Sequence, residues 1–459
     1  MYILSFLYLL SFFASMHHLY KKYSDGILYF LIFGTAIYTT ALSIISLYGF
    51  DNQIFILKSF KEICIISYML LYIKEAKNTI KLTLIDKLLL FFVGYNILYI
   101  FIPLGAYGIG EKILAFKTLC FFPFVYFTGR LVDPSKINLS KFFTFIFVLS
   151  ITACAVLLVE FVTYTHLQTY TGYAAYMEKY FEQPPTGNFG LAWNFETEEG
   201  VKRFASFFSS PLELAAVNLI TISALAAYIT EKGNKIILNN ISKITLISSV
   251  IIILFALSRA SFGGYWLIIY LYAFLLEKKR VLKQFHFAVL AITLLFLFVN
   301  IKGDLADYFI NTINFSNGSS AGHVIMWLEG INSIIKSPLG IGLGESGRIS
   351  SFTGVNTGGE NQFIILGVQT GIISLGIYIT VMILFIKKAF HCARNSDGKL
   401  RKLGIFIFLI KLGLIIPLFT AELESYISVS YVSWFLSGIF ISLESNFDFQ
   451  MNHIANEED

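Results

Sequence analysis

The sequence predicts an all-α, polytopic membrane protein, and three observations carry that prediction. Apolar runs fill most of the chain, many of them close to the roughly 20 residues a helix needs to cross hydrocarbon. Mean hydropathy is +0.71, with 56% hydrophobic, 17% aromatic and only 14% charged residues, which is not a soluble composition. Lysines and arginines gather in every second loop between the runs, as the orientation rule for inserted helices requires. Length alone would suggest about two or three soluble domains, but the apolar runs read as one transmembrane domain over 1–459.

Taken in order, the expected spans are about 2–18, 27–48, 54–73, 85–103, 113–131, 142–163, 213–231, 242–257, 260–276, 284–301, 362–386, 403–420 and 427–444, giving 12–13 transmembrane helices. Loops or span ends carrying Lys21–Lys22, Lys74–Lys87, Arg130–Lys141, Lys232–Lys243, Lys278–Lys283 and Lys387–Lys402 are expected on the cytoplasmic side. The opposite side then receives the N-terminus, short loops near 51 and 108, a long loop at 164–212, the tight turn Ser258–Arg259, and the longest loop, 302–361. The start, Met1–Met16, lacks the basic leading region of a secretory signal. Residues 446–459 form a polar C-terminal tail, expected to be disordered. No internal repeat of the kind transporters carry is visible.

The larger outward loop concentrates polar chemistry. Val324, Trp327, Leu328, Ile331, Ile334 and Ile335 recur at the spacing of one helical face, with Glu329, Asn332, Ser333 and Lys336 opposite. Such a helix is too short and polar to span, and it is expected to lie along the bilayer surface. Pro338 ends it. Gly340, Gly342, Gly344 and Gly347 then permit a sharp turn, read either as bare amides open to an anion or as a plain Gly-rich turn. Gly342 to Gly347 also spells the dinucleotide fingerprint, but no strand precedes it and no βαβ unit follows, so a nucleotide site is excluded.

Ionisable groups inside apolar runs are costly and usually face an interior. Lys58 and Glu62 stand four apart and are expected to pair on one helix face, with Lys61 beside them; Lys117, Glu160 and Lys411 are further cases, with snorkelling or structural pairing as the plain reading. Cations on the cation-poor side stand out more: Arg203, Arg259, Lys302 and Arg348. An Arg there matches phosphate or pyrophosphate oxygens bidentately; each taken alone also fits a lipid head group or a surface carboxylate. The net charge of +5 sits in short loops and implies no nucleic-acid partner. Cys64, Cys120, Cys154 and Cys392 show no metal or disulfide spacing, so neither a disulfide nor a zinc site is indicated.

Four segments carry a resemblance. RFASFFSSPLELA at 203–215, SRASFGG at 258–264, the amphipathic stretch with Trp327 leading into SPLGIGLG, and ENQFIILGVQTGIISLGIYI at 360–379 resemble the O-antigen polymerase and O-antigen ligase superfamily of bacterial envelope enzymes, over roughly residues 200–390. The resemblance implies a membrane glycosyltransferase at the outer face of the cytoplasmic membrane. Its implied partners are an undecaprenyl-pyrophosphate-linked oligosaccharide, membrane lipids and a chain-length regulator. His323 stands where many relatives have Arg, and Glu360 where ligases have His, which tilts the expectation toward polysaccharide polymerase and away from ligase; a lipid-sugar flippase is the alternative of another class.

In that reading Arg203 and Arg259 stabilise the departing pyrophosphate, and Glu360 is the base for the acceptor hydroxyl if burial raises its pKa. His323 is the base, a donor to pyrophosphate, or a structural histidine packed on Trp327. Trp327, Arg348 and Asn361 are expected at the substrate, as is Glu213, which equally suits a cap of its helix.

Overall fold

A computed structural model describes residues 2–75, 81–300, 318–350 and 356–458. Every expected span folds as one helix or as two in succession. The first half contains α1 (Tyr2–Tyr20), α2 (Tyr38–Leu47), α3 (Asp51–Lys58), α4 (Phe60–Glu75), α5 (Leu84–Phe101), α6 (Ile109–Cys120), α7 (Phe122–Leu131) and α8 (Leu139–Thr163). The first long loop carries two short helices, α9 (Leu167–Tyr170) and α10 (Tyr173–Phe181). The second half contains α11 (Pro211–Ile229), α12 (Asn240–Phe255), α13 (Arg259–Leu275), α14 (Lys279–Asn300), α15 (Gly318–Lys336), α16 (Gln362–Asn395), α17 (Gly398–Gly413), α18 (Ile415–Thr420) and α19 (Ile427–Glu458).

Among the described residues, seven helices are long and apolar enough to cross a membrane, or up to nine if each of two bent pairs is one span. The bends are 64° between the segment 24–34 and α2, and 49° between α6 and α7. α4, α12 and α13, at 16, 16 and 17 residues, fall short of the full crossing length. The number of long apolar helices fits a multi-pass membrane protein.

α11 and the first part of α19 form the centre, each with 89% of its apolar window buried, whereas α1 buries 22%. α11 is rich in Ala, Ser and Thr, small enough to let neighbours approach on all sides. α19 packs along α7 through two glycines. A methyl on Gly129 would meet the Phe435 carbonyl at 2.1 Å, and one on Gly438 the Tyr126 carbonyl at 2.2 Å. Between α5 and α7, Asp86 and Arg130 are buried together at 3.3 Å, and the Tyr126 hydroxyl donates to Asp86 at 2.6 Å.

Several expectations change. Glu62 pairs with Lys61 and Lys117, both at 3.0 Å, and not with Lys58, because the helix breaks at Ser59 and takes Lys58 off the shared face. Lys58 lies instead over the rings of Tyr180 and Phe181, at 4.3 and 4.7 Å. Cys392 is buried in the last turns of α16, which outruns the span expected to end near 386. The polar tail continues α19 to Glu458, since it holds no Pro or Gly to stop the helix. Lys302, with the rest of 301–317, and residues 351–355 lie outside the described residues.

The first long loop is folded and tied down. Glu160, at the end of α8, accepts the N–H groups of Leu167 and Ser206, both at 2.8 Å. Gln168 donates to the carbonyls of Ser206 and Phe208 at 2.8 Å each. Glu160 is thus a clamp for the chain on either side of the loop, a structural use of an intramembrane carboxylate.

The Gly-rich turn is also structural. α16 breaks at Gly371 (φ 80°, ψ −176°), which leaves carbonyls of its first turns without helical donors. The segment after α15 supplies them: Ile341 N–H donates to Val368 O at 2.8 Å and Gly342 N–H to Gln369 O at 3.1 Å, while Ile372 N–H returns to Pro338 O at 2.9 Å. Gly344 N–H donates to Gln369 Oε1 and Gly347 N–H to Asn356 Oδ1, each at 3.0 Å. These amides are spent inside the protein, so the anion reading of the turn falls. Its glycines are needed for backbone shape: Gly340, Gly342, Gly344 and Gly347 all have φ between 79° and 124°.

Candidate functional site

Arg203 and Arg259 come together because two turns dock on each other. Arg203 N–H donates to Phe195 O at 2.8 Å, beside an antiparallel bridge between Glu196 and Lys202, and Phe204 N–H donates to Phe255 O at the end of α12. α12 turns into α13 through Leu257 (φ 48°) and Ser258, whose hydroxyl caps α13 by accepting Ser261 N–H. Arg259 is the first residue of α13. A second non-glycine in the left-handed region, Ser206 (φ 54°), lies just past Arg203. Burial first, then the nearby Arg259, pulls the Arg203 pKa down, while Glu199 and Glu198 oppose the shift. A guanidinium stays charged under these influences.

α15 lies alongside. Leu328, Ile331 and Ile335 of its expected apolar face are exposed, as a lipid-facing stripe would be; the side turned to the protein runs His323, Trp327, Gly330, Ile334. Gly330 closes the packing, for a methyl there would strike Ile364 at 2.2 Å. His323 and Trp327 rings lie 6.3 Å apart. Burial, then the charge of Arg259, lowers the His323 pKa, so the ring is neutral at neutral pH.

These side chains line one cavity of about 560 Å³ with Glu360: Arg203, Arg259, His323, Trp327 and Glu360, from four separate stretches of chain. Two donors on its wall, Arg203 Nε and Trp327 Nε1, are buried without a hydrogen-bond partner among the described residues. Buried donors are rarely left unmet, so these two are free to meet an acceptor in the cavity.

Glu360 stands just before α16, exposed to cavity rather than to open surface, and its carboxylate makes no protein hydrogen bond among the described residues. Enclosure raises its pKa and Arg348 partly offsets this. With Trp193 and Tyr426 it also lines a second cavity of about 400 Å³. That cavity holds Glu213, Arg348 and Glu422 among hydroxyl-bearing side chains.

Glu213 has two attachments: Ser209 donates to one oxygen through its N–H and hydroxyl, and the Ser428 hydroxyl donates to the other. The cap of α11 is Ser210, so Glu213 is a helix-start carboxylate that also faces a cavity. Arg348 stacks over Phe181 at 4.5 Å, and its N–H donates to Glu422 at 2.7 Å. Asn361 has a structural place in the fold. It lines neither cavity and caps α16, accepting Phe363 and Ile364 N–H at 3.0 and 3.2 Å.

Sequence reasoning missed Glu422 and Tyr426. Burial pushes the Glu422 carboxyl up to about 7, with Arg348 opposing and Glu360 adding to the rise. The signal was an acidic pair, Glu422 and Glu424, in the short connection between the last two apolar runs. A scan of loops for Lys and Arg passes over it. Among the described residues no three His, Cys, Asp or Glu side chains converge as metal ligands would. No family model matches this chain, and no curated protein matches it.

Proposed function

We propose that this chain is a polysaccharide polymerase of the O-antigen polymerase and ligase type. It moves a glycan from undecaprenyl pyrophosphate to a hydroxyl of the next lipid-linked repeat, with inversion. In this reading 12–13 helices cross the bacterial cytoplasmic membrane, and the loops 164–212 and 302–361 carry the site on the extracytoplasmic face. The observation that supports it is the meeting of Arg203, Arg259 and Glu360 around one cavity with unmet buried donors.

The chemistry follows from those groups. The acceptor oxygen bonds to the anomeric carbon as the bond from that carbon to the pyrophosphate oxygen breaks, through an oxocarbenium-like state. Glu360 takes the acceptor's proton, and its raised pKa keeps it basic enough for this. Charge gathers on the leaving pyrophosphate, where two preorganised guanidiniums stabilise it most directly. His323, neutral beside Arg259, donates one hydrogen bond to the same oxygens or orients Trp327.

The test uses purified protein and a synthetic lipid-linked repeat, read as a chain-length ladder. A ladder is expected; transfer only to a foreign acceptor would make the enzyme a ligase, and no transfer at all would overturn the reading. Sidedness is checked with single cysteines at Ser319 and Ser396 against a membrane-impermeant reagent in intact cells or spheroplasts. Labelling at 319 alone is expected, and labelling at 396 alone would invert the topology.

A further inference from the structure

A third cavity, of about 270 Å³, continues the series away from Arg203 and Arg259. Arg348, Tyr38 and Phe181 line both it and the second cavity, as Glu360 lines the second and the first. Its walls bring together Lys58, Lys61 and Lys117 with Arg348, from α3, α4, α6 and the turn after α15. Gathering four cations, three of them partly buried, around one pocket is costly unless something answers them. Glu62 is shared between Lys61 and Lys117 at 3.0 Å each. Glu424, also on the wall, is engaged by Tyr378, Ser430 and Trp434. Lys58 has only aromatic faces, with no carboxylate in ion-pair range among the described residues. On this wall two described carboxylates stand against three lysines and Arg348, and Arg348 also faces Glu360 and Glu422 of the middle cavity, so Lys58 is the cation left to aromatic faces.

We infer that this pocket holds the pyrophosphate of a second lipid-linked substrate, the acceptor, and that the middle cavity holds the acceptor's sugars on their way to Glu360. The inference rests on the polymerase reading for the acceptor's role, and on the pocket alone for the anion. An ammonium cluster suits a phosphate group that is held and released without bond change, since each Lys acts as a point charge without a fixed fork. The middle cavity suits sugar: Tyr38, Thr39, Tyr173, Ser209 and Asn194 offer hydroxyl, amide and ring faces together. Lys117 is the half-exposed member, on α6 beside the exposed Leu114, which gives a lipid tail a side exit.

Native mass spectrometry of the full chain in phosphatidylcholine nanodiscs tests this, with undecaprenyl pyrophosphate as the probe. Wild type is expected to bind two molecules. Lys58→Gln with Lys117→Gln should weaken one of them roughly tenfold or more, the scale of a lost charge-assisted contact. Arg203→Gln with Arg259→Gln should weaken the other and leave this one, and Lys58→Arg with Lys117→Arg should restore binding, which excludes a folding defect. Two sites of unchanged affinity in the Gln pair would overturn the proposal. So would displacement of the second molecule by dioleoylphosphatidylglycerol at equal concentration, which marks a general anionic-lipid site, or by inorganic pyrophosphate at equal concentration, which marks a free-anion site. Two lipids bound by a protein that makes no polymer would sink the polymerase reading while the second anion site stands.

Discussion

The first and third cavities both hold cations, in different company: the first sets Arg203 and Arg259 beside Glu196, Glu198 and Glu360, and the third sets three lysines and Arg348 beside Glu62 and Glu424. The first presents guanidiniums fixed by backbone: Arg203 on a bridged turn docked to α12, Arg259 on the first turn of a capped helix. Its donors are partly unmet. The third presents three ammoniums, Lys58 and Lys61 over rings and Lys61 and Lys117 sharing Glu62, with the Arg348 guanidinium over Phe181. A fixed planar fork is suited to charge that appears at one place during a reaction. Mobile point charges on aromatic faces are suited to charge that arrives already formed. The two cavities thus differ in how their cations are held, by backbone in the first and over aromatic rings in the third.

The comparison breaks first at the group between the cavities. Glu360→Gln keeps size and removes the base, so transfer should fall on the order of 10²–10⁴. Single lipid-linked repeats should accumulate, at matched amounts of folded protein. A normal ladder from this variant would move the base to His323. Next come Arg203→Lys and Arg259→Lys, each expected to lose on the order of 10²–10³ in rate although charge is kept. The mirror change sharpens the contrast: Lys58→Arg should stay within about tenfold of wild type, because a point-charge site tolerates either cation. Equal sensitivity of the two cavities to Arg–Lys exchange would erase the distinction.

Smaller effects concern pH. A base with a raised pKa loses activity as pH falls through that pKa, so the acid limb of the rate profile should lie above the ordinary carboxylate range. Arg348 holds the Glu360 pKa down, so Arg348→Gln should move the limb to higher pH; no movement would separate the two groups electrostatically. Glu422 gives a stability effect of the opposite sense to a salt-bridged acid. Its folded pKa of about 7 exceeds the ordinary 4.5, so the folded state binds the proton more tightly. Stability from this group is full below about 4.5 and is lost as pH rises toward 7. The thermal midpoint should fall over that window, by up to about 3 kcal/mol in free energy, and Glu422→Gln should flatten it.

Hydropathy made the helices legible, and the scarcity of outward Lys and Arg made Arg203 and Arg259 legible before any fold was known. What stayed hidden depends on tertiary partners. Nothing local to Ser59 or Gly371 announces that a helix stops there; those breaks exist because other segments take up the freed groups, as Pro338 to Gly342 do for Gly371. The same cause decides between the two readings of the Gly-rich turn, whose amides are bonded within the protein, and gives the Asn361 side-chain oxygen a capping role. Glu422 escaped because its importance lies in enclosure by Arg348 and Glu360, distant in sequence.

The seam between the turn after α15 and the break in α16 has a mechanical consequence. Main-chain bonds at 338–342 and 368–372 splint the two helices at one end, and Gly330 wedged against Ile364 and Gly358 pins them further along. α15 and α16 are thereby joined into one block at that end. His323 and Trp327 sit on α15 and Glu360 just before α16, and with the turn pair that carries Arg203 and Arg259 they line the first cavity. The first cavity thus lies between two blocks, each held together by its own main-chain bonds.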